Sequence, residues 1–113
     1  MDALSIAVFS IAHALDDGYI DMIPPLWPQI RAAFSLTNAQ IGLLALALQI
    51  PANFGQLLAG LVLDRHRYRG AAAAGLLLAL AGIGLVGLAN SAAAVATGLA
   101  VCGAGTAIFH PAA

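Results

Sequence analysis

The stretch AAAAGLLLALAGIGLVGLANSAAAVATGLAVCGAGTAIF, residues 71–109, contains no charged side chain. Asn90 and Ser91 are the only two polar residues in it that are adjacent to each other. Apolar runs of this length are typical of membrane-spanning helices, which need about 20 residues each to cross hydrocarbon. Asn90 and Ser91 favour a tight turn. The stretch therefore predicts two antiparallel spans, 71–89 and 92–109.

The composition of the whole chain agrees with a lipid environment. Of its 113 residues, 62% are hydrophobic and 8% are charged, and the mean hydropathy is +0.96. Soluble domains carry roughly 25% charged residues, so the composition argues against an ordinary soluble globule. The formal net charge of -1 predicts no nucleic-acid surface. The single cysteine, Cys102, cannot form an internal disulfide, and we expect it to pack as a small residue.

Two more apolar segments precede this stretch. The first lacks a basic leader and a cleavage site, so it should remain as a helix. We therefore predict an all-α fold class: a polytopic membrane protein, with residues 1–113 forming a partial transmembrane domain. Its four transmembrane helices are expected at about 4–23, 39–63, 71–89 and 92–109.

Prolines and polar residues mark the expected helix ends. Residues 29–37 should form a first loop or a helical extension, and Thr37 or Asn38 can cap the second helix. The last helix should end at His110 and Pro111. Kinks or breaks in regular helix are expected at Pro24, Pro25, Pro28 and Pro51.

The arginines indicate the orientation in the membrane. Arg65, Arg67 and Arg69 lie between the second and third spans, whereas the first loop offers only Arg31. Because positively charged loops stay on the cytoplasmic side, we predict a multi-pass protein of the cell (inner) membrane with a cytoplasmic N-terminus.

Small residues are dense in the third and fourth spans. Small side chains let helix backbones approach closely, so close helix packing is the main interpretation and a lining for a conduit is the alternative. The glycines concerned are Gly75, Gly82, Gly84, Gly87, Gly98, Gly103 and Gly105, and Cys102 and Thr106 continue a four-residue ladder from Gly98.

The first span carries acids that hydrocarbon should exclude. His13, Asp17 and Asp21 recur every four residues and share one helix face, and Asp16 lies beside them. Two ionised aspartates at a span centre cost about 5 to 7 kcal/mol, enough to cancel the insertion energy of the helix. This face must therefore turn towards other helices, a water-filled cavity or the interface.

Two roles are open for these acids. His13 and Asp17 form a candidate pair for proton exchange or substrate contact, since a carboxylate beside a histidine can change protonation with conformation. Alternatively, they make a fixed hydrogen bond between helices. Asp16 and Asp21 are weaker candidates, because Asp21 lies near the outer end and can be hydrated.

Other polar residues offer further candidates. Gln49, Asn53 and Gln56 share one face of the second span and could line a cavity or clamp two helices together. His110 is a weak candidate at the end of the last span. The three histidines are far apart in sequence, so we predict no metal site. No motif for a cofactor, hydrolysis or redox chemistry is present, and we predict that the chain is not an enzyme.

Several segments resemble the major facilitator superfamily. GLVLDRHRYRG, residues 60–70, is similar to the signature G-x-L-x-D-R-x-G-R-R between helices two and three, although Val62, Arg67 and Tyr68 depart from it. Three other segments resemble the fosmidomycin-resistance branch: HALDDGYIDMIPPLWP from His13, FSLTNAQIGLLALALQI from Phe34 and GAGTAIFHPAA from Gly103. The signature positions that match are Gly60, Asp64, Arg65 and Arg69.

The resemblance implies a secondary transporter that exports a small drug or metabolite in exchange for protons. It implies that Asp64 and Arg65 join a charge network that closes the cytoplasmic side, although the arginines can equally be topogenic only. Many drug-exporting relatives carry an arginine at the position of Leu99, which leaves His13 and Asp17 as the better coupling candidates. Such transporters have two six-helix halves, so this chain would be the start of the first half. It would need the remaining transmembrane helices as partners and would be inactive alone.

Two rival functions fit the size of the chain. A small four-helix oligomeric multidrug exporter is one, but such exporters centre on a membrane glutamate, and this chain has no glutamate. A non-transporting accessory membrane protein is the other. The substrate stays open, because intramembrane aspartates favour cationic groups whereas a phosphonate drug would prefer arginines.

Overall fold

The computed structural model describes residues 1–66 and 68–113, and all regular structure in these residues is helical. This confirms the predicted all-α fold class. A short 3-10 turn, Pro24–Leu26, follows the first helix. The helices are α1 (Ala3–Asp21), α2 (Trp27–Phe34), α3 (Asn38–Arg65), α4 (Ala71–Gly87) and α5 (Ala92–Ala112).

Three helical segments are long and apolar enough to cross a membrane. They are residues 3–34, residues 38–65 and residues 92–112. The fourth apolar helix, α4, has 17 residues, which corresponds to about 26 Å of helix and lies at the lower limit for a span. The described part of the chain is therefore a bundle of membrane-spanning helices.

Helix ends follow from local residue chemistry. Thr37 begins α3 with a capping box, in which its hydroxyl accepts from the Gln40 N–H and the Gln40 side chain accepts from the Thr37 N–H. The prolines after α1 produce the 3-10 turn, so most of the predicted first loop is the helical extension α2. At its other end the chain departs from expectation: α5 continues through His110 and Pro111 to Ala112. Pro111 lacks only one N–H, and the Ala113 N–H still donates to the Phe109 carbonyl at 2.8 Å.

The most buried helix, α5, packs between α3 and α4. Half of the most apolar 18-residue stretch of α5 is buried, compared with 17% for α3 and 6% for the segment that contains α1. Leu99 is fully buried in this core. The helix α1 lies against α4 and α5 through a smaller interface, so it is the least enclosed of the long helices.

Glycines set the closeness of α4 and α5. A Cβ on Gly82 would lie 2.6 Å from the Gly98 carbonyl oxygen, and one on Gly105 would lie 2.6 Å from the Gly75 carbonyl oxygen. Gly84 and Gly87, on the same helix as Gly82, have no atom this near and face away from α5. The small residues thus divide into an interface set and an outward set.

Candidate functional site

Asp16 lies where α1 crosses α5 and is completely buried. The Thr106 hydroxyl, on α5, donates to Asp16 Oδ1 at 3.2 Å. The second oxygen, Oδ2, has no hydrogen-bond partner among the described residues. An unpaired carboxylate oxygen in an environment without water is costly, so a specific neighbour is expected for it.

That neighbour is His110, one helical turn after Thr106. Its Nδ1 lies 3.4 Å from Asp16 Oδ2 and 3.1 Å from the Thr106 carbonyl oxygen. Its Nε2, on the other side of the ring, lies 3.7 Å from Asp17 Oδ1. The imidazole therefore stands between a buried carboxylate and an accessible one.

His13 and Asp17 complete the group on α1. His13 Nε2 is 3.6 Å from Asp17 Oδ2, as the four-residue spacing allows. The His13 ring centroid is 5.0 Å from that of His110 and 5.7 Å from that of Phe109. Accessibility rises along this series, since the side-chain exposure is 0% for Asp16, 27% for His110 and about 50% for Asp17 and His13. We call these residues the polar chain: Thr106, Asp16, His110, Asp17 and His13.

The polar chain is suited to holding and passing protons. The separations of 3.4 to 3.7 Å exceed normal hydrogen-bond lengths by a few tenths of an ångström, so small movements make or break each contact. Histidine can accept a proton at one ring nitrogen and release one from the other. A group of this kind can couple protonation to the position of α1 against α5.

Three members of the polar chain also have donor atoms suited to a metal ion. Atoms of His13, Asp17 and His110 lie within 4.8 Å of one another. Metal–ligand bonds of about 2.0 to 2.2 Å would require separations of about 3.3 Å in a tetrahedral site, so the side chains would have to move by roughly 1 Å. The predicted absence of a metal site rested on the distance between histidines in sequence. The packing of α1 on α5 removes that reason for His13 and His110.

The other predicted polar residues lie outside the polar chain. Asp21 is exposed at the end of α1. The Asn53 amide donates to the Gln49 carbonyl at 2.9 Å and to the Gln49 side-chain oxygen at 3.1 Å, on an exposed face of α3. Gln56 is half-buried one turn further along. The Asn53 and Gln49 side chains are therefore bonded to each other within α3, and the face that they share is free to meet another helix or a cavity.

The signature segment lies at the end where α3 stops and α4 starts. Gly60 faces Pro111, with 3.9 Å to a Cβ placed on it. Asp64 and Arg65 occupy the last turn of α3 and, among the described residues, have no ion-pair partner. Arg69 is exposed, and Gly70 adopts φ +85, which favours glycine where the loop turns into α4. Arg67 lies outside the described residues.

An apolar cavity of about 430 Å³ adjoins the polar chain at the same end of the bundle. It separates the N-terminal half of α1 from the start of α4, and its lining includes Phe9, Ala12, Tyr68, Leu76 and Phe109. Residues of α1 and of α4 therefore line one open space at this end.

The spacing in the sequence favours Asp17 over Asp16 and indicates only a packing role for Thr106. Asp16 is not part of the four-residue stripe of His13 and Asp17. Asp16 follows His13 by three residues, however, and this spacing places the two side chains on neighbouring faces of the helix. Likewise, Thr106 precedes His110 by four residues, which puts both on one side of α5. These spacings were the available signal, and the crossing of α1 and α5 supplied what was missing.

Comparison with known proteins gives a consistent result. Residues 9–113 match the sequence profile of the Major Facilitator Superfamily. Over 106 residues, 94% of this chain, the sequence is 31% identical to the fosmidomycin resistance protein of Escherichia coli (strain K12). Over 104 residues, 92% of this chain, it is 30% identical to an uncharacterized MFS-type transporter of Bacillus subtilis (strain 168). The matched region spans 26% and 25% of these two proteins. No solved structure matches the chain.

Proposed function

The chain belongs to the major facilitator superfamily, and on that premise we propose that it forms the first four membrane-spanning helices of a secondary transporter that exports a small drug or metabolite in exchange for protons. Family membership supports the transporter. Export is suggested by the relative that is named for fosmidomycin resistance. Membership also argues against the alternative of a small four-helix oligomeric exporter, which the size of the chain had suggested.

The observation that carries proton exchange is the graded exposure of the polar chain. Asp17 and His13 are half exposed on the open face of α1, His110 is partly buried, and Asp16 is fully buried. A buried ionisable residue in a membrane protein marks a functional pathway more often than a structural bond, because its charge is costly there. The polar chain thus offers a route from an accessible face to a buried carboxylate.

In the proposed cycle, protonation of Asp16 alters the contact between α1 and α5. An ionised Asp16 attracts the Nδ1–H of His110, whereas a protonated Asp16 loses that attraction. Since α1 has the smallest interface of the long helices, its position responds most readily to the change. Alternating access would couple this movement to substrate release.

The 113 residues alone are proposed to be inactive. Of the most apolar 18-residue stretch, only 6% is buried in the segment containing α1 and 17% in α3, so both helices present broad exposed faces. The chain spans about a quarter of the length of the relatives it matches, and family transporters place their substrate between two halves. We expect lipid vesicles containing only this chain to show no flux of substrate. Flux above that of empty vesicles would contradict this.

The proposed function is tested in vesicles that contain the complete transporter, driven by a pH gradient. The probes are fosmidomycin, from the named relative, and the cation ethidium, because the intramembrane charges here are acidic. We expect gradient-driven movement of at least one probe, lost in Asp16→Asn and kept in Asp21→Asn, which makes the same change at an exposed position of α1. Probe movement that does not depend on the pH gradient, or transport by Asp16→Asn equal to that of the wild type, would contradict proton exchange at Asp16.

A further inference from the structure

We infer that Thr106 is a positioning residue that holds Asp16 so that one carboxylate oxygen faces His110. This inference rests on the proposed function, since it names how the buried end of the proton route is arranged. The hydroxyl of Thr106 donates to Asp16 Oδ1 at 3.2 Å, and Oδ2 is thereby left towards His110 Nδ1 at 3.4 Å. The last torsion of aspartate is broad and roughly two-fold, so without a fixed donor its two oxygens would exchange places.

Thr106 holds both partners of this contact. While its hydroxyl donates to Asp16, its carbonyl oxygen lies 3.1 Å from His110 Nδ1 and accepts from it in the tautomer that carries the proton on Nδ1. One residue of α5 therefore sets the positions of the carboxylate on α1 and of the imidazole one turn further along α5.

The hydroxyl of Thr106 has a different kind of hydrogen-bond acceptor from that of Thr97, the other threonine on α5. Thr97 donates to the Ala93 carbonyl of its own helix at 2.9 Å, which is the usual bond for a threonine within a helix. Thr106 donates across the helix interface instead, from a position that is 2% exposed. Its bond is thus directed at Asp16, and Thr97 provides a matched control on the same helix.

The groups that face Asp16 come from two helices. On α1 they are His13 and Asp17, and on α5 they are Thr106, His110 and the Cys102 thiol one turn earlier. The helix α4 contains no ionisable residue. His110 is the only imidazole among the described residues that lies within ion-pair distance of both Asp16 and Asp17.

The resulting step moves one proton and balances. Protonated Asp17 releases the proton of its Oδ1–H, and His110 Nε2 takes it up with its lone pair. His110 Nδ1 releases its own proton to Asp16 Oδ2, where the new O–H bond forms. His110 remains neutral with the proton on Nε2, Asp17 becomes a carboxylate and Asp16 becomes a carboxylic acid. Return of a proton by the reverse path resets the imidazole.

The test compares Thr106→Val, which removes the hydroxyl at similar volume, with Thr106→Ser, which keeps it, and with Thr97→Val as the control. The first readout is the infrared carbonyl band of protonated Asp16 in the 113-residue chain in lipid nanodiscs, assigned by its loss in Asp16→Asn. We expect the band to shift and broaden in Thr106→Val only, because the two oxygens become interchangeable. An unchanged band in Thr106→Val would overturn the inference.

The second readout is the pH profile of transport in the complete protein. We expect gradient-driven transport to fall about tenfold or more in Thr106→Val with the KM for the probe unchanged, and to recover in Thr106→Ser. If Thr106→Val does not fold, Thr106→Ala replaces it. If wild-type transport does not depend on the pH gradient, the proposed function is wrong. The infrared band of Asp16 still tests the role of Thr106 in that case. A wild-type pH profile in a folded variant without the hydroxyl would contradict the inference.

Discussion

At the scale of single residues, the acids of α1 differ in what surrounds them. Asp16 has a donor from Thr106 and an imidazole beside its free oxygen, whereas Asp17 is half exposed between His13 and His110. The partners of Asp16 thus offset part of the free-energy cost of burying its charge. For Asp17 this cost is lower, because its side chain is accessible from the open face of α1. Adjacent positions in the sequence therefore serve different ends of the polar chain.

This difference predicts unequal effects on stability. Asp16→Ala should destabilise the bundle by about 1 to 3 kcal/mol, because the buried hydroxyl of Thr106 loses its acceptor. Asp17→Ala should change the free energy of unfolding by less than about 1 kcal/mol, since exposed ion pairs contribute little. The measurement is unfolding in mixed micelles with increasing dodecyl sulfate. Equal losses for both variants would show that Asp16 is not enclosed by α5.

What the sequence could predict at this scale was set by spacing within one helix. The stripe of His13 and Asp17 is present, and their side chains lie 3.6 Å apart. The bond between Asp16 and Thr106 joins residues 90 positions apart, and no periodicity within a helix reports on such a pair. Only the crossing of α1 and α5 selects Asp16 as the buried acid.

At the scale of helices, the glycines of α4 show why a pattern of small residues is only half of a prediction. The sequence marked Gly82 and Gly84 alike, but one faces the backbone of α5 and the other faces open space. The rotation of α4 about its own axis decides between them. A mean hydropathy that is high on all sides of the helix does not encode this rotation.

These two glycines give a matched pair of variants. Gly82→Ala should destabilise the bundle by about 1 to 3 kcal/mol, because the new methyl group meets the backbone of α5. Gly84→Ala should be neutral or stabilise by up to about 1 kcal/mol, since alanine favours helix over glycine. Thermal unfolding in detergent measures both. The packing of α4 on α5 described above would be wrong if Gly84→Ala were the more damaging change.

The start of α1 gives a prediction about pH. Asp2 accepts from the Ser5 N–H at 2.7 Å, and this bond lowers the pKa of the Asp2 carboxyl from its ordinary value of 3.8. A lowered pKa means that the cap is fully present above the ordinary value and is lost as the pH falls through the lowered one. We expect the Ser5 amide NMR shift to titrate with a midpoint below 3.8, and not at all in Asp2→Asn. A midpoint above that value would contradict the cap.

At the scale of the whole molecule, neighbouring helices alternate in direction. The helix α4 runs antiparallel to α5, since Gly82 lies against Gly98 and Gly75 lies against Gly105. The helix α3 runs parallel to α5, since Leu48 lies near Gly103 and Gly60 lies near Pro111. The N-terminal half of α1, the signature segment and the end of α5 lie at one end of the bundle, where all three line the same cavity. Composition and hydropathy were sufficient for this level, because hydrocarbon allows few architectures other than helices. The positions of the broad exposed faces of α1 and α3 could not be predicted, since apolar residues are spread around both helices.

The alternation gives a test of orientation. The Arg69→Cys variant should react with membrane-impermeant maleimide only from the cytoplasmic side, because loops rich in arginine stay on that side. A cysteine at Asn90 should react only from the other side. Both variants are made in a Cys102→Ser background, so that each has one thiol. Labelling of position 69 from outside intact cells would show that the orientation is opposite to the predicted one.

Asp16 of α1 faces α5 and not lipid, and thiol cross-linking in native membranes measures this contact. Asp16→Cys and Thr106→Cys, combined in the Cys102→Ser background, should be joined rapidly by a short thiol cross-linker, because their side chains touch in the wild type. Leu15→Cys with Thr106→Cys is the control, since Leu15 is 48% exposed on the neighbouring position. We expect cross-linking of the first pair only. Equal reaction of both pairs, or reaction of the control alone, would contradict it.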